Sequence, residues 1–139
     1  MFDFDPSKHS DVALSGRRIL VVDDSVTNMA VAVDALRMCG AEVHAATGGR
    51  RALDLVALTK YDLVLLDLDM PVIDGYAVGA AVRGSRDNAS TPIVLFTAAD
   101  PPDAERAVRD VRAQDIVHKP VDVDALREIV AKHLEAATA

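Results

Sequence analysis

The strongest indication of the fold is a short apolar run followed by two acids, Ile19-Leu20-Val21-Val22-Asp23-Asp24. Four consecutive aliphatic residues are typical of a strand that helices cover on both faces of a parallel sheet. A second run of this kind, Leu63–Leu66, is followed by Asp67-Leu68-Asp69. Three further runs complete a set of five predicted strands: Ile19–Val22, Glu42–Ala46, Leu63–Leu66, Ile93–Phe96 and Ile116–His118.

Segments with helical spacing separate these strands. Between the first two, apolar residues recur three and four positions apart from Val26 to Leu36, and Gly40 ends the helix. Asp100 and Asp122 are the predicted N-caps of the last two helices. Strand and helix alternate five times, which predicts an α/β domain of the doubly wound, flavodoxin-like (βα)5 type, with five parallel strands in the order 2-1-3-4-5.

The domain boundaries follow from the same pattern. The (βα)5 domain is predicted to span residues 17–136, with a short tail at residues 137–139. Residues 1–16 are polar, contain Pro, Ser and Gly, and are predicted to form a disordered lead or linker. No further domain is expected after residue 136.

The composition narrows the classes of function. The 139 residues carry 22 acidic and 15 basic side chains, a formal charge of −7, which argues against a nucleic-acid-binding surface. A single cysteine, Cys39, fits a reducing compartment. No apolar run approaches the roughly 18 residues that span a membrane. A cytoplasmic location is therefore expected, with neither a membrane nor a nucleic acid as direct partner.

The residues at the carboxyl ends of the predicted strands carry the chemistry. The first and third strands are neighbours in this strand order, so their carboxylates converge in one crevice. Such like charges repel unless a proton or a cation neutralises them. Oxygen ligands without His or Cys suit Mg²⁺, and a hydroxyl and an ammonium group suit phosphoryl oxygens. A Mg²⁺-dependent phosphoryl site with an Asp nucleophile is therefore predicted from Asp23, Asp24, Asp67, Asp69, Thr97 and Lys119.

Each of these residues also has a structural alternative. Asp24 or Ser25 could cap the helix that follows, and Thr97 could be a turn hydroxyl. Lys119 could be a solvated surface lysine, and the acids after the third strand could be loop residues. One site accounts for all four strand ends together, whereas the alternatives require separate coincidences. The Asp74-Gly75 pair is predicted to be a turn and a helix start.

With these motifs in place, the chain resembles a response-regulator receiver domain, the phosphoacceptor module of two-component signalling. The resemblance extends over residues 17–136, and each motif lies on the predicted element. The motifs are Ile19-Leu20-Val21-Val22-Asp23-Asp24, Leu65-Leu66-Asp67-Leu68-Asp69-Met70-Pro71, Asp74-Gly75, Phe96-Thr97-Ala98 and Lys119-Pro120.

The resemblance implies a role for each site residue. Asp67 would accept a phosphoryl group from a phosphohistidine donor. Asp23 and Asp24 would hold Mg²⁺ together with Asp67 and the backbone carbonyl of Asp69. Thr97 would be the switch hydroxyl that moves toward the phosphoryl group. Lys119 would pair with a phosphoryl oxygen, and its bond to Pro120 is often cis in this family. Such a domain assists its own phosphorylation and dephosphorylation but is not a turnover enzyme.

The resemblance also implies partners. A histidine kinase or histidine phosphotransferase would dock on the first helix near Val26, Met29 and Ala30, although Met29 is favoured as a core residue. With Asn28 four residues after the acidic pair, the chain resembles receivers that are attached to or served by hybrid histidine kinases. A downstream protein would bind the face formed by the fourth helix, the fifth strand and the fifth helix. The sequence departs from the family at Ile116, where an aromatic residue often couples to the threonine.

Three rival functions are weaker. A haloacid-dehalogenase-type phosphatase also has an Asp-x-Asp motif, but its nucleophile follows the first strand rather than the third. A degenerate receiver that signals without phosphate does not need the complete acidic site. A flavodoxin-type site would need a phosphate-binding loop after the first strand. Within the receiver hypothesis, the side chain of Asp69 is expected to set the lifetime of the phosphoryl group.

Overall fold

A computed structural model describes residues 14–70, 75–98 and 100–138, with side-chain surroundings up to residue 135. The predicted lead therefore lies largely outside the described residues, and so does Asp74. The last helix reaches Thr138, two residues beyond the predicted end of the domain. None of the helices in the described ranges is long and apolar enough to cross a membrane.

Within the described ranges, five strands alternate with five helices. Each strand begins and ends within one residue of its predicted bounds. The strands are β1 (Arg18–Val22), β2 (Glu42–Ala46), β3 (Leu63–Asp67), β4 (Ile93–Thr97) and β5 (Asp115–His118). The helices are α1 (Val26–Met38), α2 (Gly49–Leu58), α3 (Gly75–Gly84), α4 (Pro101–Val111) and α5 (Val123–Thr138).

All strand pairs are parallel, and the sheet order is β2-β1-β3-β4-β5, as predicted. Alternate residues of β1 enter two separate cores because successive side chains point to opposite faces of a sheet. Ile19 and Val21 pack in a core with α1 and α5. Leu20 and Val22 pack in the other core with α2, α3 and α4. Helices thus cover both faces, which explains why the central strands are continuously apolar.

The predicted helix ends are largely correct. Asp122 accepts hydrogen bonds from the backbone N–H groups of Asp124 and Ala125, as an N-cap should. Asp100 is the N-cap residue of α4, although its side chain makes no capping hydrogen bond. Gly40, with φ of 94°, follows the end of α1 in the left-handed region that a glycine adopts without strain.

Candidate functional site

The register of the sheet brings the predicted site residues to one edge. Asp23 directly follows β1, and Asp67 ends β3, each one position beyond the last residues that these two strands pair. Thr97 ends β4 and lies beside the last residue of β5. Lys119 directly follows that last residue of β5. The convergence expected from the strand order is therefore present in the fold.

Three carboxylates form a compact cluster at this edge. One oxygen from each of Asp23, Asp24 and Asp67 lies within 4.8 Å of the others. Asp23 and Asp67 are 1% and 0% exposed, whereas Asp24 faces solvent. Oδ2 of Asp23 and Oδ2 of Asp67 are buried and have no hydrogen-bond partner within the described ranges. Such oxygens are costly unless a cation binds them, and a set of oxygen donors fits Mg²⁺.

The other oxygens of the two buried acids are held by the backbone and by a lysine. Oδ1 of Asp23 accepts a hydrogen bond of 2.8 Å from the N–H of Ser25. Oδ1 of Asp67 accepts 2.9 Å bonds from the N–H of Asp69 and from Nζ of Lys119. Each buried carboxylate is therefore oriented through one oxygen and offers the second to the cluster.

The electrostatics of the cluster favour the binding of a cation. Burial is the main cause that raises the pKa of Asp23 to about 6, and the charge of Asp67 adds to it, whereas the Ser25 N–H and Lys119 oppose the rise. For Lys119, burial lowers the pKa, but its hydrogen bond to Asp67 and the surrounding carboxylates outweigh burial and raise it. The lysine is therefore held as a cation beside Asp67.

The carboxylate of Asp69 is not one of the three in the cluster and has partners of its own. Its two oxygens accept hydrogen bonds of 3.3 and 3.2 Å from Oγ1 of Thr97. Oδ2 also accepts a 3.2 Å bond from the N–H of Ala98 and lies 3.6 Å from Nζ of Lys119. The sequence contains no signal for these contacts because they join the loop after β3 to the loops after β4 and β5. The predicted metal contact of Asp69 through its backbone carbonyl remains a prediction.

The structural alternatives fare differently. Ser25 is the N-cap of α1, since its hydroxyl accepts a 3.3 Å hydrogen bond from the N–H of Asn28. Asp24 is therefore free of the capping role and contributes to the acidic cluster. Lys119 is not a solvated surface lysine, because its side chain is 19% exposed and paired with Asp67. The Lys119-Pro120 peptide bond is cis.

Gly75 also helps to position the site, a role that the sequence did not predict. Gly75 begins α3, as the Asp-Gly pair predicted, but its packing is as important as its turn. A Cβ at Gly75 would lie 2.6 Å from both the carbonyl oxygen of Asp67 and the Cα of Leu68. Only a glycine lets α3 approach the loop after β3 this closely, so Gly75 helps to define where Asp67 lies.

The surfaces predicted to bind partners are only partly as expected. Val26 is 66% exposed, and Ala30 also faces solvent. Met29 is 8% exposed and packs in the core with Val33, as favoured from the sequence, because it lies on the face of α1 that covers the sheet. Docking of a partner near Val26, Met29 and Ala30 stays a prediction. On the predicted downstream face, α4 and β5 border a groove of about 350 Å³ that Ile116 lines.

Comparison with known proteins gives one consistent family. The sequence model of the "Response regulator receiver domain" family matches residues 19–131. The sensor protein GacS of Pseudomonas syringae is 35% identical over 118 residues, which are 83% of this chain and 13% of that protein. The transcriptional regulatory protein PrrA of Mycobacterium leprae is 36% identical over 122 residues, 88% of this chain and 50% of that protein. This chain thus spans half or less of these relatives.

Solved structures agree with the fold. The chemotaxis response regulator CheY4 of Vibrio cholerae has a TM-score of 0.79 and 28% identity, covering 84% of this chain and 98% of that one. The receiver domain of a sensor histidine kinase from Pseudomonas aeruginosa PAO1 has a TM-score of 0.79 and 26% identity, covering 87% of this chain and 99% of that one. In that structure a magnesium ion is coordinated in the active site cleft.

Proposed function

Because this chain belongs to the response regulator receiver domain family of two-component signalling, we propose that it accepts a phosphoryl group on Asp67 from a phosphohistidine donor. The observation that carries the proposal is the state of the Asp67 carboxylate. It is fully buried, and Lys119 binds one of its oxygens at 2.9 Å. Within the described residues, its second oxygen has no hydrogen-bond partner. An oxygen of this carboxylate is the proposed nucleophile.

The proposed transfer uses residues that the fold already positions. An oxygen of Asp67 forms a bond to phosphorus while the bond from phosphorus to the donor imidazole breaks, and the imidazole leaves with the electron pair. Lys119 neutralises charge on a phosphoryl oxygen, and Thr97 offers a hydroxyl to another. The backbone N–H of Asp69 and Nζ of Lys119 orient the carboxylate during the attack.

Mg²⁺ is the proposed cofactor. Asp23, Asp24 and Asp67, with the backbone carbonyl of Asp69, are the residues that would hold it. When bound, it supplies positive charge to the buried carboxylates and to the oxygens of the transferred group. The unpartnered oxygens of Asp23 and Asp67 support this assignment.

The partners are proposed at the level of protein class. A histidine kinase or histidine phosphotransferase would dock beside the site, on the exposed residues Val26 and Ala30 at the start of α1. A downstream protein would bind the α4, β5 and α5 face once Asp67 is phosphorylated. Because Ile116 replaces the aromatic residue common at this position, we propose that the switch runs through Thr97 and the loop after β4.

The first prediction tests the phosphoacceptor. Acetyl phosphate with Mg²⁺ should label the wild-type chain once, and Asp67→Asn should abolish the label because it removes the nucleophilic oxygen. Intact-protein mass spectrometry measures the added phosphoryl group. Asp54→Asn, which changes an exposed acid of α2, is the matched control and should label normally.

Chelation of Mg²⁺ should also prevent labelling of the wild-type chain. Full labelling of Asp67→Asn would overturn the assignment of Asp67. Continuous release of phosphate from a generic phosphomonoester would instead favour the phosphatase alternative.

A further inference from the structure

The Asp69 carboxylate is bound by a set of hydrogen-bond donors that points to a second role for this residue. The donors are the hydroxyl of Thr97 and the backbone N–H of Ala98, and the ammonium group of Lys119 forms an ion pair with the same carboxylate at 3.6 Å. All three lie at the carboxyl end of the sheet beside Asp67, and Lys119 contacts both acids. Such a set of donors is suited to hold the oxygens of an anion.

A phosphoryl group on Asp67 would need donors of this kind for its oxygens. We propose that Asp69 is a built-in competitor, whose carboxylate occupies the donors of Thr97 and Ala98 and pairs with the charge of Lys119 until a phosphoryl group on Asp67 displaces it. This inference rests on the proposed phosphorylation of Asp67. It assigns to Asp69 the control of how readily the site accepts a phosphoryl group.

The exchange is exclusive because each donor has a limited number of protons. The Thr97 hydroxyl has one proton and donates it in one direction at a time, and the Ala98 N–H is likewise a single donor. Thr97 is 0% exposed, so its hydroxyl does not turn to bulk water. A phosphoryl oxygen therefore gains the Thr97 hydroxyl only when the Asp69 carboxylate gives it up.

The exchange is also inexpensive for Asp69. Its side chain is 46% exposed, so the displaced carboxylate moves into water and is hydrated there. The buried Asp67, at 0% exposure, has no such alternative. This difference in burial makes Asp69 the mobile anion of the pair.

The competitor hypothesis predicts the opposite sign from a metal-ligand role. If the Asp69 side chain held Mg²⁺, its removal would weaken both Mg²⁺ and the phosphoryl group. If it competes, its removal frees the Thr97 and Ala98 donors, removes one anion from beside Lys119, and strengthens binding of a phosphoryl analogue at saturating Mg²⁺. Binding of Mg²⁺ alone and binding of the analogue must therefore be measured separately.

The experiment uses beryllofluoride as the phosphoryl analogue, titrated into the full chain at saturating Mg²⁺ and followed by amide NMR. Asp69→Ala should bind it about three- to tenfold more tightly than wild type, the equivalent of one lost competing hydrogen bond or ion pair. Asp69→Asn should lie between the two, because its amide oxygen still accepts from Thr97 but does not pair with Lys119. Asp100→Asn, which removes an exposed acid at the same end of the sheet, should bind like wild type.

A double-mutant cycle connects the gain to the contact. In a Thr97→Ala background, Asp69→Ala should bring a smaller gain, because the shared donor is already missing. Equal or weaker analogue binding by both Asp69 variants, with wild-type chain still binding it, would overturn the competitor hypothesis alone. A wild-type chain that takes up neither beryllofluoride nor a phosphoryl group would instead refute the proposed function.

Discussion

Among individual residues, Asp23 is one whose ionised form is disfavoured by its surroundings in the folded protein. Its carboxylate is buried, its Oδ2 is unpartnered, and burial with the neighbouring Asp67 raises its pKa to about 6. At neutral pH this group is therefore ionised at the expense of stability in the absence of a cation. The same arrangement is what makes the cluster a strong binding site for one.

The second prediction is that Asp23→Asn changes stability relative to wild type in opposite directions without and with Mg²⁺. Without Mg²⁺ the variant should be more stable than wild type by about 1–3 kcal/mol, because an unpartnered buried charge is gone. With Mg²⁺ at about a hundred times its Kd, wild type should gain about 2.7 kcal/mol, and the variant much less. Thermal denaturation at pH 7.5, with and without Mg²⁺, measures both effects.

Asp54→Asn serves as the control, because it changes an exposed acid and should leave the Mg²⁺ response intact. Equal stabilisation of wild type and Asp23→Asn by Mg²⁺ would show that Asp23 does not hold the ion.

The sequence predicted which residues form this site but not which hydrogen bonds their oxygens make. Asp23, Asp67 and Lys119 could be placed from strand ends alone, because a parallel sheet brings those ends together. The choice between Asp24 and Ser25 as helix cap was open, and one hydrogen bond decided it in favour of Ser25. The contacts of Asp69 with Thr97 could not be predicted, since they depend on the paths of two loops.

At the scale of the element, α3 and α4 touch through a glycine. A Cβ at Gly79 would lie 2.5 Å from Cγ1 of Val111 on α4. Val111 is 4% exposed and, as a β-branched residue, has little rotamer freedom to retreat. The glycine therefore sets the distance between the two helices, as Gly75 does between α3 and the loop of Asp67.

The third prediction concerns this contact. Gly79→Ala should lower the free energy of unfolding by about 1–3 kcal/mol, because overpacking outweighs the better helix propensity of alanine. Gly84→Ala, at the end of the same helix, has no atom within 4 Å of the added Cβ and should be neutral or slightly stabilising. Urea denaturation of the two variants compares them directly.

A second substitution checks the cause. Val111→Ala should relieve part of the penalty in a Gly79→Ala background, whereas an equal cost in both backgrounds would contradict the steric explanation. Labelling of Asp67 should persist in Gly79→Ala, since Gly79 does not touch the acidic cluster.

Arg83 provides a second connection of α3 to its neighbours. Its guanidinium donates to the backbone carbonyls of Thr91 and Arg112, both at 2.7 Å, and to Oε1 of Gln114 at 3.0 Å. Arg112 has a φ of 59°, in the left-handed conformation that ends α4. One side chain on α3 thus satisfies carbonyls before β4 and after α4, a link that no local sequence pattern reveals.

At the scale of the whole molecule, α5 is fastened to the edge strand by a histidine. Nε2 of His133 lies 2.9 Å from Oδ2 of Asp115 on β5, and both side chains are largely buried. Burial raises the pKa of Asp115, but the hydrogen bonds from His133 and from the N–H of Ile116 outweigh it, so the pKa is lowered from 3.8. The charged form of Asp115 therefore stabilises the fold.

The fourth prediction is a dependence of stability on pH. The contribution of Asp115 is present above the ordinary pKa of 3.8 and is lost as the pH falls through the lowered value in the folded protein. The free energy of unfolding of wild type should exceed that of Asp115→Asn by about 1 kcal/mol near pH 5.5. This difference should shrink toward about pH 2.5. Urea denaturation across this range measures it.

The exposed carboxylate of Asp54 gives the comparison, and Asp54→Asn should show no such convergence with wild type. A difference between wild type and Asp115→Asn that stays constant down to the lowest pH would contradict the ion pair.

Local sequence patterns were enough to predict the strands, the helices between them and the residues at the strand ends. They were enough because apolar periodicity and the residues that end each element act over a few neighbouring positions. Those local patterns do not indicate the hydrogen bonds of Asp69 with Thr97 and of Asp115 with His133, nor the close packing of Gly79 against Val111. These contacts join residues at least 18 positions apart, so they depend on how the sheet and the helices pack against one another.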